Sequence, residues 1–214
     1  MSLEIDVRKL DLFNQMSREG AVNVAEYLTQ MTGIETGIEV SKINFLDIED
    51  VKTHMGEGEA IGIFVELTDP PYGYVLFMLD PADSKRLAVS MVGEGDPDLS
   101  AGFSEMEKSA IQEVGNIMTS GFIDGWANVL ETTIGMSTPT FAFCECSEVI
   151  DRMGGWPDEE IAFVLDSHIT ASDTDLDLTV YTFPHLRALV ELIQDIDLDT
   201  DVAADTTAAM EFPD

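Results

Sequence analysis

Two stretches of the chain, Phe77-Met78-Leu79-Asp80-Pro81 and Val180-Tyr181-Thr182-Phe183-Pro184, share one pattern and indicate how the protein folds. Each is an apolar, strand-like run that ends in a proline, and each leads into a segment whose apolar residues have helical spacing. The segments that precede the two stretches also come in the same order. The sequence therefore predicts an internal repeat.

The first half of the repeat is predicted to form a helix, three strands and a short second helix. Apolar spacing is helical from about Asp6 to Thr32 and ends at Gly33, a residue type that commonly follows a helix. The predicted strands are Val40 to Leu46, Ala60 to Leu67 and Tyr74 to Leu79, and the short helix runs from about Asp83 to Val92.

The second half repeats this order. Ser104 and Glu107 have the spacing of a capping box, which predicts the start of a long helix that ends near Gly135. Three strands follow, and then a helix with an apolar stripe that begins at Pro184. The predicted strands are Thr140 to Cys146, Ile161 to Ile169 and Leu176 to Phe183.

A three-stranded sheet in one half alone would not bury both of its faces, so the halves are predicted to form one domain. We expect a mixed α/β (α+β) fold with a pseudo-two-fold repeat of helix, three strands and helix, and with two long surface helices against a sheet. The domain is predicted at residues 1–194, with repeats at about 6–93 and 104–194, followed by an acidic, disordered tail at 195–214.

The composition is strongly acidic, with 42 acidic and 10 basic residues among 214 and a formal charge of −32. So few cations cannot build the basic face that a nucleic acid or an anionic membrane requires, so both kinds of partner are excluded. Because 45% of the residues are hydrophobic, a core can still form. A salt-rich cytoplasm, as in a halophile, is the preferred explanation of the charge, and a dedicated acidic binding surface is the alternative.

The two cysteines, Cys144 and Cys146, form a C-x-C pair, which is more typical of a reducing compartment than of a secreted disulfide scaffold. No stretch is typical of a signal peptide or a membrane span, so we expect a soluble, cytoplasmic protein. A lone C-x-C is half a zinc site, and the three histidines are far apart in the chain. The cysteines are therefore predicted to belong to the core, with no metal site.

Polar residues form a stripe along the second long helix, where Ser109, Glu113, Asn116 and Ser120 follow one another at helical spacing. An ordinary solvated helix face has the same spacing. Gly115 lies between Glu113 and Asn116 in the chain. A glycine in mid-helix lowers helix stability by about 1 kcal/mol relative to alanine. A glycine in mid-helix indicates that another backbone or a partner protein approaches closely.

The segment Glu107-Lys108-Ser109-Ala110-Ile111-Gln112-Glu113-Val114-Gly115-Asn116-Ile117 resembles the signature of the CheC family of chemotaxis phosphatases, which includes CheX-type and FliY-type proteins. That signature is Asp or Ser, three residues, Glu, two residues and Asn, and Ser109, Glu113 and Asn116 match it. The resemblance extends to Gly20-Ala21-Val22-Asn23 and Gln30-Met31-Thr32-Gly33 in the first helix. Together with the charge, it points to a halophilic archaeon as the source.

Some members of the family carry a second copy of the signature on the first helix. Alignment of Gly33 with the helix end of the family places Asp11, Gln15 and Arg18 at the three signature positions. Gln15 lacks the negative charge of a glutamate, and the Arg18 side chain has no acceptor for a water. The first site is therefore predicted to be degenerate and silent.

The resemblance implies a substrate, the phosphorylated chemotaxis response regulator CheY, which carries an aspartyl phosphate and a bound divalent cation, Mg²⁺. It implies that Asn116 orients the attacking water and that Glu113 pairs with a lysine of the partner. Ser109, Gly115 and Ser120 are expected to contribute to docking. No cofactor of this chain's own is implied.

Two alternatives stay open at this point. Family members also act as non-catalytic adaptors, so the chain could bind the receptor deamidase CheD or another signalling component through the same helix face. The third reading is an interaction domain without a role in chemotaxis.

Overall fold

The computed structural model describes residues 9–33, 35–93, 98, 102–153, 161–171 and 177–196. Within these residues the chain forms two similar halves, each with three helices and three strands. In chain order the elements are α1 (Leu10–Thr32), β1 (Thr36–Asp47), α2 (Ile48–His54), β2 (Glu59–Leu67), β3 (Gly73–Leu79), α3 (Pro81–Val92), α4 (Glu105–Val129), β4 (Thr140–Glu145), α5 (Cys146–Arg152), β5 (Ile161–Ala171), β6 (Asp177–Pro184) and α6 (Leu186–Asp195). The predicted mixed α/β fold with its repeat is confirmed.

The six described strands form one antiparallel sheet in the order β1-β5-β6-β3-β2-β4. Strands β1, β2 and β3 correspond to β4, β5 and β6. If each strand is replaced by its counterpart, the same order results when it is read from the opposite edge of the sheet. The outermost strand of each half pairs with the other half, β1 with β5 and β4 with β2. Each half therefore completes its part of the sheet only with a strand from the other.

The pseudo-two-fold axis passes between the two central strands. Phe77 and Val180, the first residues of the two similar stretches, are direct partners in the ladder between β3 and β6. On one face of the sheet the axis also passes near the crossing of α1 and α4, where Asn23 Nδ2 donates a hydrogen bond to Gly121 O at 2.9 Å. The helices and the sheet thus obey the same symmetry.

Helices cover both faces of the sheet. The larger core lies between the sheet and α1, α3, α4 and α6, and it contains Phe77, Phe122 and Trp126. The smaller core lies on the opposite face beneath α2 and α5, and it contains Val51 and Val149. Among the described residues, no helix is both long and apolar enough to cross a lipid bilayer.

The observed elements differ from the predicted ones at four helices, and β1 begins at Thr36, four residues before the predicted Val40. The helices α2 and α5 were not predicted, because seven residues are too few to show a helical period. Helix α6 begins at Leu186 because Pro184 still pairs with Gly73 as the last residue of β6. Helix α4 ends at Val129, short of Gly135, whose N–H donates to Asp69 Oδ2 at 3.0 Å. The predicted tail lies outside the described residues from 197 onward.

The two long helices touch backbone to backbone. A Cβ added at Gly125 of α4 would lie 2.6 Å from the backbone nitrogen of Gly20 in α1. A Cβ added at Gly20 would lie 2.8 Å from the ring of Phe122. Because no side chain fits between them here, the distance between α1 and α4 is set by the glycines.

We expect Gly125→Ala to lower the free energy of unfolding by about 2 kcal/mol, since the new methyl group would meet backbone that cannot move aside. Urea denaturation measures the change. The matched control is Gly37→Ala in β1, where an added Cβ meets nothing within 4 Å and stability should be unchanged or slightly higher. Equal effects of the two substitutions would contradict the close contact of the helices.

Candidate functional site

Helix α4 begins with the predicted capping box. Ser104 Oγ accepts a hydrogen bond from the backbone N–H of Glu107 at 3.2 Å, and Glu107 Oε2 accepts one from the N–H of Ser104 at 2.7 Å. Two backbone donors that the helix cannot use are thereby satisfied. The first turn of α4 is held in place, and with it the register of the polar stripe.

A buried lysine from α3 strengthens this helix start. The ammonium of Lys85, which is 4% exposed, donates to Glu107 Oε2 at 3.0 Å and to Gly102 O at 2.7 Å. It also lies 5.1 Å from the centre of the Phe103 ring. The hydrogen bond from Ser104 N–H and the contact with Lys85 lower the pKa of Glu107, against the opposing effect of burial. The carboxylate of Glu107 therefore stays charged at neutral pH.

The predicted site residues lie on the outer surface of α4. Ser109, Glu113 and Asn116 are exposed, and the half-buried Ser120 donates through Oγ to the backbone oxygen of Asn116 at 2.9 Å. Among the described residues, no hydrogen bond or ion pair engages the side chains of Ser109, Glu113 or Asn116. One carboxylate and one amide, one helical turn apart, are therefore free to contact a partner.

Gly115 does not belong to this outer surface. It is buried, and a Cβ added there would lie 2.5 Å from Cγ2 of Ile63 in β2. The close approach that the sequence indicated is made by the protein's own sheet. The prediction that Gly115 contributes to docking is therefore wrong, and the glycine allows α4 to pack on β2.

The degenerate copy of the signature is also exposed, on α1. Asp11, Gln15 and Arg18 all face solvent, and Gln15 Nε2 donates to Asp11 Oδ2 at 3.0 Å. The first two positions thus bond to each other. Arg18 forms no ion pair with any described residue.

The two copies lie at opposite ends of an antiparallel helix pair. Gly125 contacts Gly20, whereas Gly121 contacts Tyr27, so α1 and α4 run in opposite directions. Gln15 and Glu113 are each eight residues from the crossing point of the helices, on opposite sides of it. At 1.5 Å per residue the copies are about 24 Å apart, so one partner domain cannot engage both side chains through one small contact.

Other polar groups lie on the opposite face of the sheet. His54 Nε2 is 2.9 Å from Oδ2 of Asp166, which is 5% exposed. The sequence did not indicate this pair, because 112 residues separate its members. Cys144 and Cys146 are buried as expected, and burial raises the pKa of both thiols. Within the described ranges no three His, Cys, Asp or Glu side chains come together as metal ligands.

We expect Lys85→Met to lower the free energy of unfolding by about 3 kcal/mol, because it leaves the carboxylate of Glu107 without its cation in a mostly buried site. The matched control is Lys108→Met, which removes an equally short but exposed pair with Glu105 on the same helical turn. The control should change stability by less than about 0.5 kcal/mol. Urea denaturation of both variants measures the difference, and equal losses would contradict a structural role for the buried pair.

Known proteins with related sequences and folds carry chemotaxis or flagellar names. Residues 106–142 match the model of the CheC-like family. A Halobacterium salinarum protein that carries the provisional name CheY-P phosphatase CheC1 is 43% identical to this chain over 196 residues. The match covers 92% of this chain and 100% of that protein.

Two solved structures share the fold. Thermotoga maritima FliY does so at 17% identity and a TM-score of 0.68, over 90% of this chain and 96% of FliY. The middle domain of FliM from H. pylori does so at 11% identity and a TM-score of 0.62, over 90% of this chain and 100% of that domain.

The similarity to the archaeal protein extends over nearly the whole chain, and the family model covers the helix that carries Glu113 and Asn116. A Halobacterium relative also agrees with the predicted halophilic, archaeal source. This chain therefore belongs to the CheC-like family of chemotaxis proteins.

Proposed function

We propose that this protein hydrolyses the aspartyl phosphate of a chemotaxis response regulator, CheY-P, with one competent site on α4. The observation that carries the proposal is the exposed pair of Glu113 and Asn116, whose side chains no described group engages. The Halobacterium relative carries the name of a CheY-P phosphatase, which supports the same reaction.

The proposed reaction depends mainly on the position of the attacking water. Hydrolysis of an acyl phosphate requires a water in line with the departing carboxylate, and catalysis comes from orientation and stabilisation of charge. The amide of Asn116 can accept a hydrogen bond from that water through its oxygen and donate one through its nitrogen. It thereby holds the water at the phosphorus atom without a change in its own charge.

Glu113 has a different part in the proposal. Its carboxylate only accepts hydrogen bonds at neutral pH, so it suits a lysine beside the phosphorylated aspartate of the partner. That ion pair would set the register in which Asn116 enters the partner's site. Ser109 and Ser120, which flank the pair along the helix, contribute to docking. The divalent cation, Mg²⁺, is bound by the response regulator and not by this chain.

An adaptor function uses the same surface without the reaction. In that case the exposed face of α4 binds the deamidase CheD or another signalling protein. FliM and FliY share the fold, which by itself does not distinguish a phosphatase from an adaptor. The decay of phosphorylated regulator separates the two functions, because an adaptor leaves it unchanged.

We expect Asn116→Ala to slow the protein-dependent decay of CheY-P by about 100-fold, which corresponds to about 2.7 kcal/mol of barrier. The measurement is loss of phosphorylated regulator over time in multimolar potassium chloride. The matched control is Asn128→Ala, at another exposed asparagine of α4. With this variant CheY-P should decay as fast as with wild type. If wild type and Asn116→Ala give the same decay, the phosphatase proposal is wrong.

The proposal that the first site is silent is tested by one substitution that removes a signature side chain and by a pair that restores the signature. Gln15→Ala should leave turnover within about twofold of wild type, since Gln15 bonds only to Asp11 among the described residues. Gln15→Glu with Arg18→Asn completes the signature at Asp11. In the Asn116→Ala background this pair should raise turnover at least about tenfold. A loss in Gln15→Ala as large as in Asn116→Ala would show that the first site is active.

A further inference from the structure

Two large apolar side chains lie exposed close to the proposed site. Met106 on the first turn of α4 is 61% exposed, and Phe143 on β4 is 46% exposed. The other large apolar side chains found exposed in the described part of the chain are Phe45 and Tyr72. Exposed apolar groups are costly in water, and a pair beside a binding site indicates a contact surface.

Met106 belongs to the same line of the helix as the proposed site. It lies seven residues before Glu113, which is two helical turns, so the two side chains point within about 20° of each other. Their separation along the axis is about 10.5 Å at 1.5 Å per residue. A partner domain that contacts Glu113 and Asn116 therefore also covers Met106.

Phe143 lies on the sheet face that α4 covers. On that face of β4 its neighbour is Phe141, which pairs with Ile63, the residue that meets Gly115 of α4. Phe143 itself pairs with Ile61, one step further along β2. The ring is thus exposed on an edge strand beside the N-terminal half of α4.

The exposed ring of Phe143 packs against the half-buried ring of Phe103. The rings of Phe143 and Phe103 pack edge to face with their centres 6.1 Å apart. Phe103 lies under the ammonium of Lys85, which also holds Gly102 and Glu107. The buried ion pair that positions the start of α4 therefore positions the two rings as well.

We infer that Met106, Phe103 and Phe143 form an apolar anchor that binds the response regulator next to the phosphorylation site. The inference rests on the proposed function. The exposed charges of α4 are mostly acidic, and charge attraction is weak in concentrated salt, where the screening length falls to about 3 Å at 1 M. Apolar contact is not screened. Glu113 then sets the docking register, and the anchor supplies most of the affinity.

The test measures affinity and turnover separately. Met106→Gln and Phe143→Ser should each weaken binding of beryllofluoride-activated regulator about tenfold. KM should rise by a similar factor, with kcat within about twofold of wild type. The matched control is Phe45→Ser, which removes an exposed ring from β1, the edge strand at the opposite side of the sheet, where that ring is 60% exposed. It should leave the Kd unchanged.

Salt provides a second readout. A regulator from the same salt-rich cytoplasm is expected to be acidic, as this chain is, so salt should screen the repulsion between the two while apolar contact persists. The Kd of wild type should therefore fall between about 0.5 M and about 3 M potassium chloride. Met106→Gln should keep the salt trend and bind more weakly at every concentration. A Kd of wild type that rises over this range would count against the anchor.

The outcomes keep the two proposals apart. If Met106→Gln and Phe143→Ser both bind like wild type, or if Phe45→Ser weakens binding as much as they do, the anchor is wrong, whatever Asn116→Ala does to turnover. If wild type binds the regulator without speeding its decay, the phosphatase proposal fails, and the Kd values still decide on the anchor. If wild type does not bind at all, both fail.

Discussion

Close packing of α4 against two surfaces is the constraint on which the site depends. At Gly115 the helix meets Ile63 of β2, and at Gly125 it meets the backbone of α1, in each case too closely for another side chain. These contacts fix both the height of α4 above the sheet and its rotation about its own axis. Rotation decides which residues face outward, and it leaves Glu113 and Asn116 exposed together. The chemistry proposed for α4 thus depends on packing that takes no part in it.

The repeat explains how one fold can carry two copies of a signature of which only the second is complete. The edge strand of each half pairs with a strand of the other half, so neither half can unfold without disrupting the other. The residues of the core and of the crossing between α1 and α4 are therefore constrained in both halves. The exposed signature positions carry no such constraint. In the first copy Gln15 and Asp11 bond to each other, and the fold is preserved. Structure and catalysis can therefore diverge separately on the two long helices.

Two of the ten basic residues join parts of the structure in a chain with a formal charge of −32. Lys85 joins α3 to the start of α4, and Lys9 donates to three backbone oxygens at the end of α6, those of Ile193, Gln194 and Ile196. All of these hydrogen bonds except the one to Gln194 are partly shielded from water, where a hydrogen bond from a cation is worth more than on the surface. The acidic surface agrees with the halophilic source of the related archaeal protein.

The amino-acid sequence by itself determined the repeat, the long helices, the capping box at Ser104 and the signature at Ser109, Glu113 and Asn116, because periodicity, caps and motif spacing are local properties of the chain. It could not reveal the short helices α2 and α5, because seven residues repeat the helical period too few times to be recognised. The spacing places Gly115 on the apolar face of α4, because it lies four residues after Ile111 and three before Met118, but it does not show what that face meets. Only the tertiary structure decided that Gly115 faces Ile63, that Lys85 meets Glu107 and that Phe143 lies beside α4. Those contacts join residues far apart in the chain, and the pairing of strands and the packing of helices bring them together.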